Sequence, residues 1–259
     1  MSDLLFDIQE GIGRITINRP EKRNALNDTV LKGICGAIDQ ANKDPEIRLI
    51  TITGAGEKAF SSGGDLQGVQ GFDKFGPTGS YFARSMYSDT LKKLSNCMVP
   101  IIGIANGDVL AGAMGIFLSC DITVAIESAR FGLPEVNVGM FPMMVMSVLF
   151  KNIGRKKGME LVLLGEKFSA QDAFAYGILN RVFSKETFHE DVNTFIAQFS
   201  NKPGIVTRLG KSAFNAIHSI DPKAIELLQL NLETVMQTED FSEGITAFFE
   251  KRAPHWKHR

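Results

Sequence analysis

Runs of strand length alternate with helix-period segments through the first two-thirds of this chain, and only helix-period segments follow. Alternating elements bury sheet faces under helices, so this order argues an α/β core with an α-helical C-terminal part. Leu4–Gln9 and Gly13–Asn18 read as short strands either side of the turn Gly11–Ile12–Gly13. Asn27 or Asp28 can cap a helix whose apolar residues Val30, Ile34, Ala37, Ile38 and Ala41 share one face at 3.6-residue spacing. LITIT (49–53), IIGIAN (101–106) and Ile122–Ile126 read as further strands. A helix is expected through Tyr81–Leu94, after a mobile surface loop over Gly68–Ser80 that holds four glycines and a proline. Later, Ser169 caps and Gly177 stops a short helix, and helices are expected over Glu186–Phe199, Gly204–Ile217, Pro222–Met236 and Phe241–Lys251. No polar linker divides the chain, so a core over 1–195 and a helical region over 196–259 read as parts of one domain.

Composition narrows the function classes. With 259 residues the chain can bury a full core, and a formal net charge of −1 gives no reason to expect a nucleic-acid or anionic-membrane surface. A polyanionic ligand would have to bind at a local basic cluster. Cys35, Cys97 and Cys120 are an odd number without metal-ligand spacing; they read as buried small hydrophobes in a reducing compartment, with no metal site. The start MSDLLFDIQEG lacks a signal-peptide pattern, and no apolar run nears the ~20 residues of a membrane span, so a soluble, cytoplasmic protein is expected.

Two loops, SSGGDL (61–66) and NGDVLAGAMG (106–115), end predicted strands and place glycine where the chain turns. Without a Cβ, backbone N–H groups there can approach a ligand closely. The second loop opens into a helix, whose first N–H groups lack intrahelical partners and lie at the positive end of the helix dipole. Two such groups could share one oxygen and stabilise negative charge on it; equally, both loops could be tight turns alone. In FGLPE (131–135), Glu135 follows a short strand within an apolar stretch, where lost hydration would raise its pKa toward that of a useful base. The alternative is a solvent-facing glutamate in a turn. Asp65 and Asp121 read as helix-capping or turn residues. His189, His218, His255 and His258 fall in predicted surface helices or the last segment, away from any strand-end Ser or Cys, which argues against a hydrolytic triad. TGAGEKAF (53–60) has too few glycines and the wrong context for a dinucleotide fingerprint, so a nicotinamide-dependent reductase is a remote alternative.

In order, RPEKRNAL (19–26), AFSSGGDL (59–66), PIIGIANGDVLAGAMGIFLSCDI (100–122), ARFGLPEVNVGMFP (129–142), GEKFSAQDAFAYGILNRV (165–182) and FFEKRAPHW (248–256) resemble the crotonase, or enoyl-CoA hydratase/isomerase, superfamily over essentially the whole chain. The resemblance implies a spiral of ββα units, C-terminal helices that form a homotrimer or a hexamer, and an acyl-CoA site in which two backbone N–H groups hold the thioester oxygen. Those groups fall on Gly64 and Gly112. Lys22, Arg23 and Ala25 would lie along the coenzyme A moiety, with Ser62, Asp65 and Leu66 lining the same channel; Lys22 and Arg23 could equally be solvated loop charges. Coenzyme A would be part of the substrate, and no separate cofactor is implied.

The departures from the family pattern bear on mechanism. Family hydratases use two glutamates; one position falls on Glu135, the other on Gly115, which has no side chain. Pro142–Met146 (PMMVM) replaces a glycine-rich stretch, so methionines there would pack an acyl chain, fill space water might occupy, or simply belong to the core. Leu110, Gly115, Pro134 and Met143 are the candidate substrate-lining positions. Hydration uses two carboxylates to divide the handling of water and proton, whereas a double-bond shift needs one base, so a single glutamate favours isomerase over hydratase. Gly115→Glu would be expected to raise hydration and to recover helix propensity. A non-catalytic module binding acyl-CoA or a protein partner is the alternative of a different class.

Overall fold

The structure is a computed structural model and describes residues 2–65, 76–138, 141–217 and 238–259. It opens with an antiparallel hairpin of β1 (Leu4–Gln9) and β2 (Ile12–Ile17), turning at Glu10 and Gly11, whose φ angles are 52° and 76°. Asn27, not Asp28, caps α1 (Asp28–Lys43), its side-chain oxygen accepting from Val30 N at 2.9 Å. The expected stripe on α1 is buried, with Leu31 added. The helix returns the chain to β3 (Leu49–Gly54), parallel to β2.

From there the path repeats. The chain passes from β3 to β4 (Ala59–Ser61) in a second sheet and returns through α2 (Gly76–Ser95). β5 (Ile101–Ala105) lies parallel beside β3, β6 (Asp108–Leu110) beside β4, and α3 (Gly112–Leu118) leads back to β7 (Ile122–Ile126) beside β5. β8 (Arg130–Gly132) then pairs with β6. Each turn contributes one strand to each sheet and one connecting helix, which is a spiral of ββα units. α4 (Met143–Asn152) and α5 (Arg155–Leu164) precede β9 (Lys167–Ser169), antiparallel to β8; α6 (Ala170–Ala175) leads to β10 (Arg181–Phe183), which closes the first sheet beside β7. The described chain continues in α7 (Phe188–Ser200), α8 (Gly204–Ala216) and α9 (Glu239–Glu250).

β5 is buried throughout and β3 nearly so, because the first sheet is covered on both faces. On one face Phe60, Phe117, Phe131 and Phe168 form a row with ring centroids 5.3, 5.8 and 5.9 Å apart. On the other, Leu49, Ile102 and Val124 pack against Phe188, Val192 and Ile196 of α7. Buried Arg208 on α8 donates to the carbonyls of Ala41, Asn42, Asp44 and Ile47, supplying partners and positive charge at the C-terminal end of α1.

Several expectations need correction. α2 begins at Gly76, so the second part of the anticipated loop is helix; residues 68–75 lie outside the described residues, as do Leu66, His218 and the helix anticipated over Pro222–Met236. Asp121 caps no helix: it accepts from Ile101 N at 2.7 Å and pairs with Lys211 of α8 at 2.5 Å. His258 does not face solvent, because its ring accepts from Gly204 N and lies 2.8 Å from an Arg48 nitrogen. Ser169 does form a capping box with Asp172, and Gly177 ends the turn after α6 at φ 81°. The three cysteines are free thiols. Among the described residues no helix is long and apolar enough to cross a membrane, and no cluster could hold a metal ion.

Candidate active site

The site begins with the segment between β2 and α1. Pro20–Lys22 makes a single 3-10 turn, after which Arg23 and Asn24 take left-handed φ values of 50° and 55°. Asn24 holds this bend together, accepting from Arg19 N and donating to Ala55 O and Ala59 O. The segment is then stitched to the glycine loop after β4: Ser62 N donates to Arg23 O, Leu26 N to Gly63 O, and Asp65 N to Leu26 O. Beneath them the buried Arg19 guanidinium donates to Ala25 O at 2.7 Å and to Asp65 at 2.8 Å. Asp65 therefore anchors one loop on the other.

Because Leu26 bonds the residues on either side of Gly64, the Gly64 N–H points away from that pairing. Gly63, at φ 92°, brings its loop against the turn after β6; a Cβ on it would meet Ala111 Cβ at 2.8 Å and Gly112 N at 3.1 Å. Ala111 has φ 50° and ψ −129°, a strained conformation for a residue with a Cβ, and it sets the direction of the first peptide of α3. Gly112 follows, at a place where a Cβ would lie 3.7 Å from Gly64 N. Among the described residues neither Gly64 N nor Gly112 N donates a hydrogen bond. Two unpaired amides from different strand ends thus converge, one of them at a helix N-terminus.

Glu135 lies just beyond β8, in a second 3-10 turn over Pro134–Val138 that follows buried Leu133. Its Oε2 is buried and has no hydrogen-bond partner among the described residues. Burial raises the carboxyl pKa above the ordinary range, and the residue's own amide opposes the shift in part. Glu135 is therefore not the solvent-facing turn residue of the alternative reading.

Tyr87, on α2, packs beside the start of α3. Its hydroxyl donates to Gly112 O at 2.6 Å, and its proton is held tightly, by burial first and then by the negative charge of Glu135. A Cβ on Gly115 would overlap that hydroxyl, with the ring carbon bearing it at 3.2 Å and Leu91 Cδ2 at 3.3 Å. Gly115→Glu therefore does not simply add a carboxylate, since the Tyr87 hydroxyl on α2 would have to move from the space the new side chain needs.

Of the other candidates, Ala25 and Leu110 are buried, while Ser62 and Pro134 are half-buried at the loops already named. Lys22 Nζ lies 4.0 Å from Asp65, and Arg23 is exposed beside a groove of about 310 Å³ lined also by Pro20, Asn24, Gly56 and Lys58. Met143 stands 66% exposed on the first turn of α4 and does not fill the core, whereas Met144 packs against it. Arg19, Asn24 and Tyr87 went unnoticed in the sequence. Arg19 and Asp65 carry opposite charges in two segments facing one site, a signal that could have paired them. Tyr87 had no local signal at all.

Chemically, the arrangement offers a pair of amides able to stabilise an anionic oxygen and a half-buried carboxylate able to move a proton.

The same architecture recurs in known proteins. A family model described as enoyl-CoA hydratase/isomerase matches residues 7–259. A probable enoyl-CoA hydratase, echA8, of Mycobacterium bovis is 33% identical over 99% of this chain and 98% of its own length. A crotonyl-CoA hydratase of Syntrophomonas wolfei is 30% identical over 96% of each. Among solved structures, an enoyl-CoA hydratase from Bacillus anthracis superposes with a TM-score of 0.92 at 29% identity, covering 99% of this chain and 100% of that one. Human enoyl Coenzyme A hydratase domain-containing protein 3 gives 0.91 at 29% identity, with coverage of 98% and 100%. With the family model spanning nearly all of it and the ββα spiral shared, this chain belongs to the enoyl-CoA hydratase/isomerase family, the crotonase superfamily.

Proposed function

We propose that the protein acts on enoyl-CoA thioesters by proton transfer through one base, Glu135, while the amides of Gly64 and Gly112 hold the thioester oxygen. The observation that carries this reading is the buried Oε2 of Glu135, which has no hydrogen-bond partner among the described residues. With a 3-enoyl thioester, the Glu135 carboxylate takes a proton from the carbon next to the carbonyl. The C–H electron pair moves toward the thioester oxygen, giving a dienolate whose charge the two N–H groups stabilise. Return of the proton to the far carbon shifts the double bond into conjugation and restores both the carbonyl and the carboxylate. Lys22 and Arg23, beside the groove at Lys58, supply positive charge for the phosphates of coenzyme A, and Leu110, Pro134 and Met143 border the acyl chain.

Isomerisation stands ahead of hydration because Gly115 offers no second carboxylate. Hydration is the second reading, favoured by relatives named as hydratases. A purely binding module is less well supported: leaving a buried carboxylate oxygen unpaired costs about 1–3 kcal/mol or more, with no benefit to binding alone. Steady-state assays on matched 2-enoyl and 3-enoyl thioesters test the proposal. The 3-enoyl compounds should be turned over faster, and Glu135→Gln should lower turnover by ~10²–10⁴-fold with little change in acyl-CoA affinity. Full activity in that variant would make Glu135 a spectator.

A further inference from the structure

We infer that Tyr87 is a specificity-determining residue: its hydroxyl fills the space beside Gly115 on α3, leaving no room there for a second carboxylate or a water, so the site moves protons between carbons and does not add water. The inference rests on the reading of the site proposed above and assigns its choice of reaction to one side chain.

Three observations carry it. The Tyr87 hydroxyl and Gly115 are complementary in shape, since any Cβ at position 115 would overlap the hydroxyl, and Leu91 closes the same space from α2. The hydroxyl proton is already engaged with Gly112 O at 2.6 Å, so Tyr87 has no proton to give to a carbon of the substrate. The phenol is also held in its protonated form by burial and by Glu135, so it cannot take a proton from water. Addition of water forms a C–O bond at one carbon and a C–H bond at its neighbour, and it requires a water held beside the base. A double-bond shift uses only the proton that Glu135 has just removed. By filling the space beside Gly115 with a group that neither gives nor accepts a proton, Tyr87 leaves the second reaction as the one the site can run.

The test uses the full-length protein and one 2-enoyl and one 3-enoyl thioester of the same chain length, measuring the ratio of hydration to isomerisation. Tyr87→Ala opens the space and should raise that ratio ~10-fold or more, equivalent to about 1.4 kcal/mol between the two barriers. Tyr87→Phe removes only the hydroxyl beside Gly115 and should raise the ratio by less than Tyr87→Ala does. Should Tyr87→Ala not fold, Tyr87→Leu keeps apolar contact with Leu91, shortens the side chain, and should shift the ratio in the same direction. A structural role alone would lower both activities together, so an unchanged ratio in the shortened variants overturns the inference while leaving Glu135 chemistry intact. A wild-type protein that turns over neither thioester overturns the proposed function and this inference with it.

Discussion

Glu135 illustrates how much one residue's surroundings decide. Its carboxyl pKa is raised by burial, so the proton is bound more tightly in the folded chain than in the unfolded one. Where the folded state binds more protons, stability falls as pH rises, and the loss is complete above the raised pKa. Glu135→Gln removes that buried charge; its melting temperature should exceed that of wild type at pH 7–8, and the difference should vanish below about pH 4, where the glutamate is protonated in both states. Thermal melts across pH check this, and equal melting temperatures throughout would argue that the carboxylate is well solvated. Activity should show the matching acid limb, lost as pH falls through a value above the ordinary carboxylate range. The position of Glu135 after a short strand and among apolar neighbours was legible in the sequence, because both signals are local. The tyrosine whose proton its charge helps to hold was not, because the two are 48 positions apart in the chain and Tyr87 reaches the site only when α2 packs on α3.

That contact between α2 and α3 is itself measurable. Gly115→Ala adds helix propensity worth up to ~1 kcal/mol, yet the new Cβ overlaps the Tyr87 hydroxyl, and crowding a packed site costs about 1–3 kcal/mol. With Tyr87→Phe the overlapping oxygen is gone and the nearest ring carbon lies at 3.2 Å, so the same alanine should become close to neutral. A double-mutant cycle by chemical denaturation should give a coupling of about 1–3 kcal/mol, whereas additive effects would place the hydroxyl elsewhere. At this scale the sequence is informative where a signal is periodic or capping. The Val30–Ala41 stripe, the Asn27 and Ser169 caps and the strand runs all lie within two residues of their expected places. The start of α2 was missed because Gly76, Pro77 and Gly79 read as loop punctuation, although a first helical turn tolerates proline, whose missing N–H would have had no partner there.

Across the whole molecule, sequence order alone gave an α/β core; the division of its strands between two sheets entered only through the crotonase resemblance. Local pattern cannot reveal that β4, β6 and β8 leave the first sheet, since each is three residues long. On the proposed function, acyl-CoA should raise the melting temperature by ligand linkage, by about 2.7 kcal/mol of stability at a hundredfold excess over Kd, while NAD and NADP should not. A thermal-shift screen with the reverse outcome would contradict the acyl-CoA reading. A closed homotrimer, or a pair of them, is the expected assembly. Leu163, Leu164 and Phe174 are about half exposed on α5 and α6, while Ile225, Leu228, Leu232 and Val235 lie outside the described residues. Light scattering that reports a monomer at micromolar concentration would count against it. The strained turn at Ala111 has one more consequence. The two amides it helps bring together belong to the main chain, so no single replacement other than by proline deletes them. Descendants of such a chain could exchange Tyr87, Gly115 or even Glu135 while inheriting the same pair of converging amides.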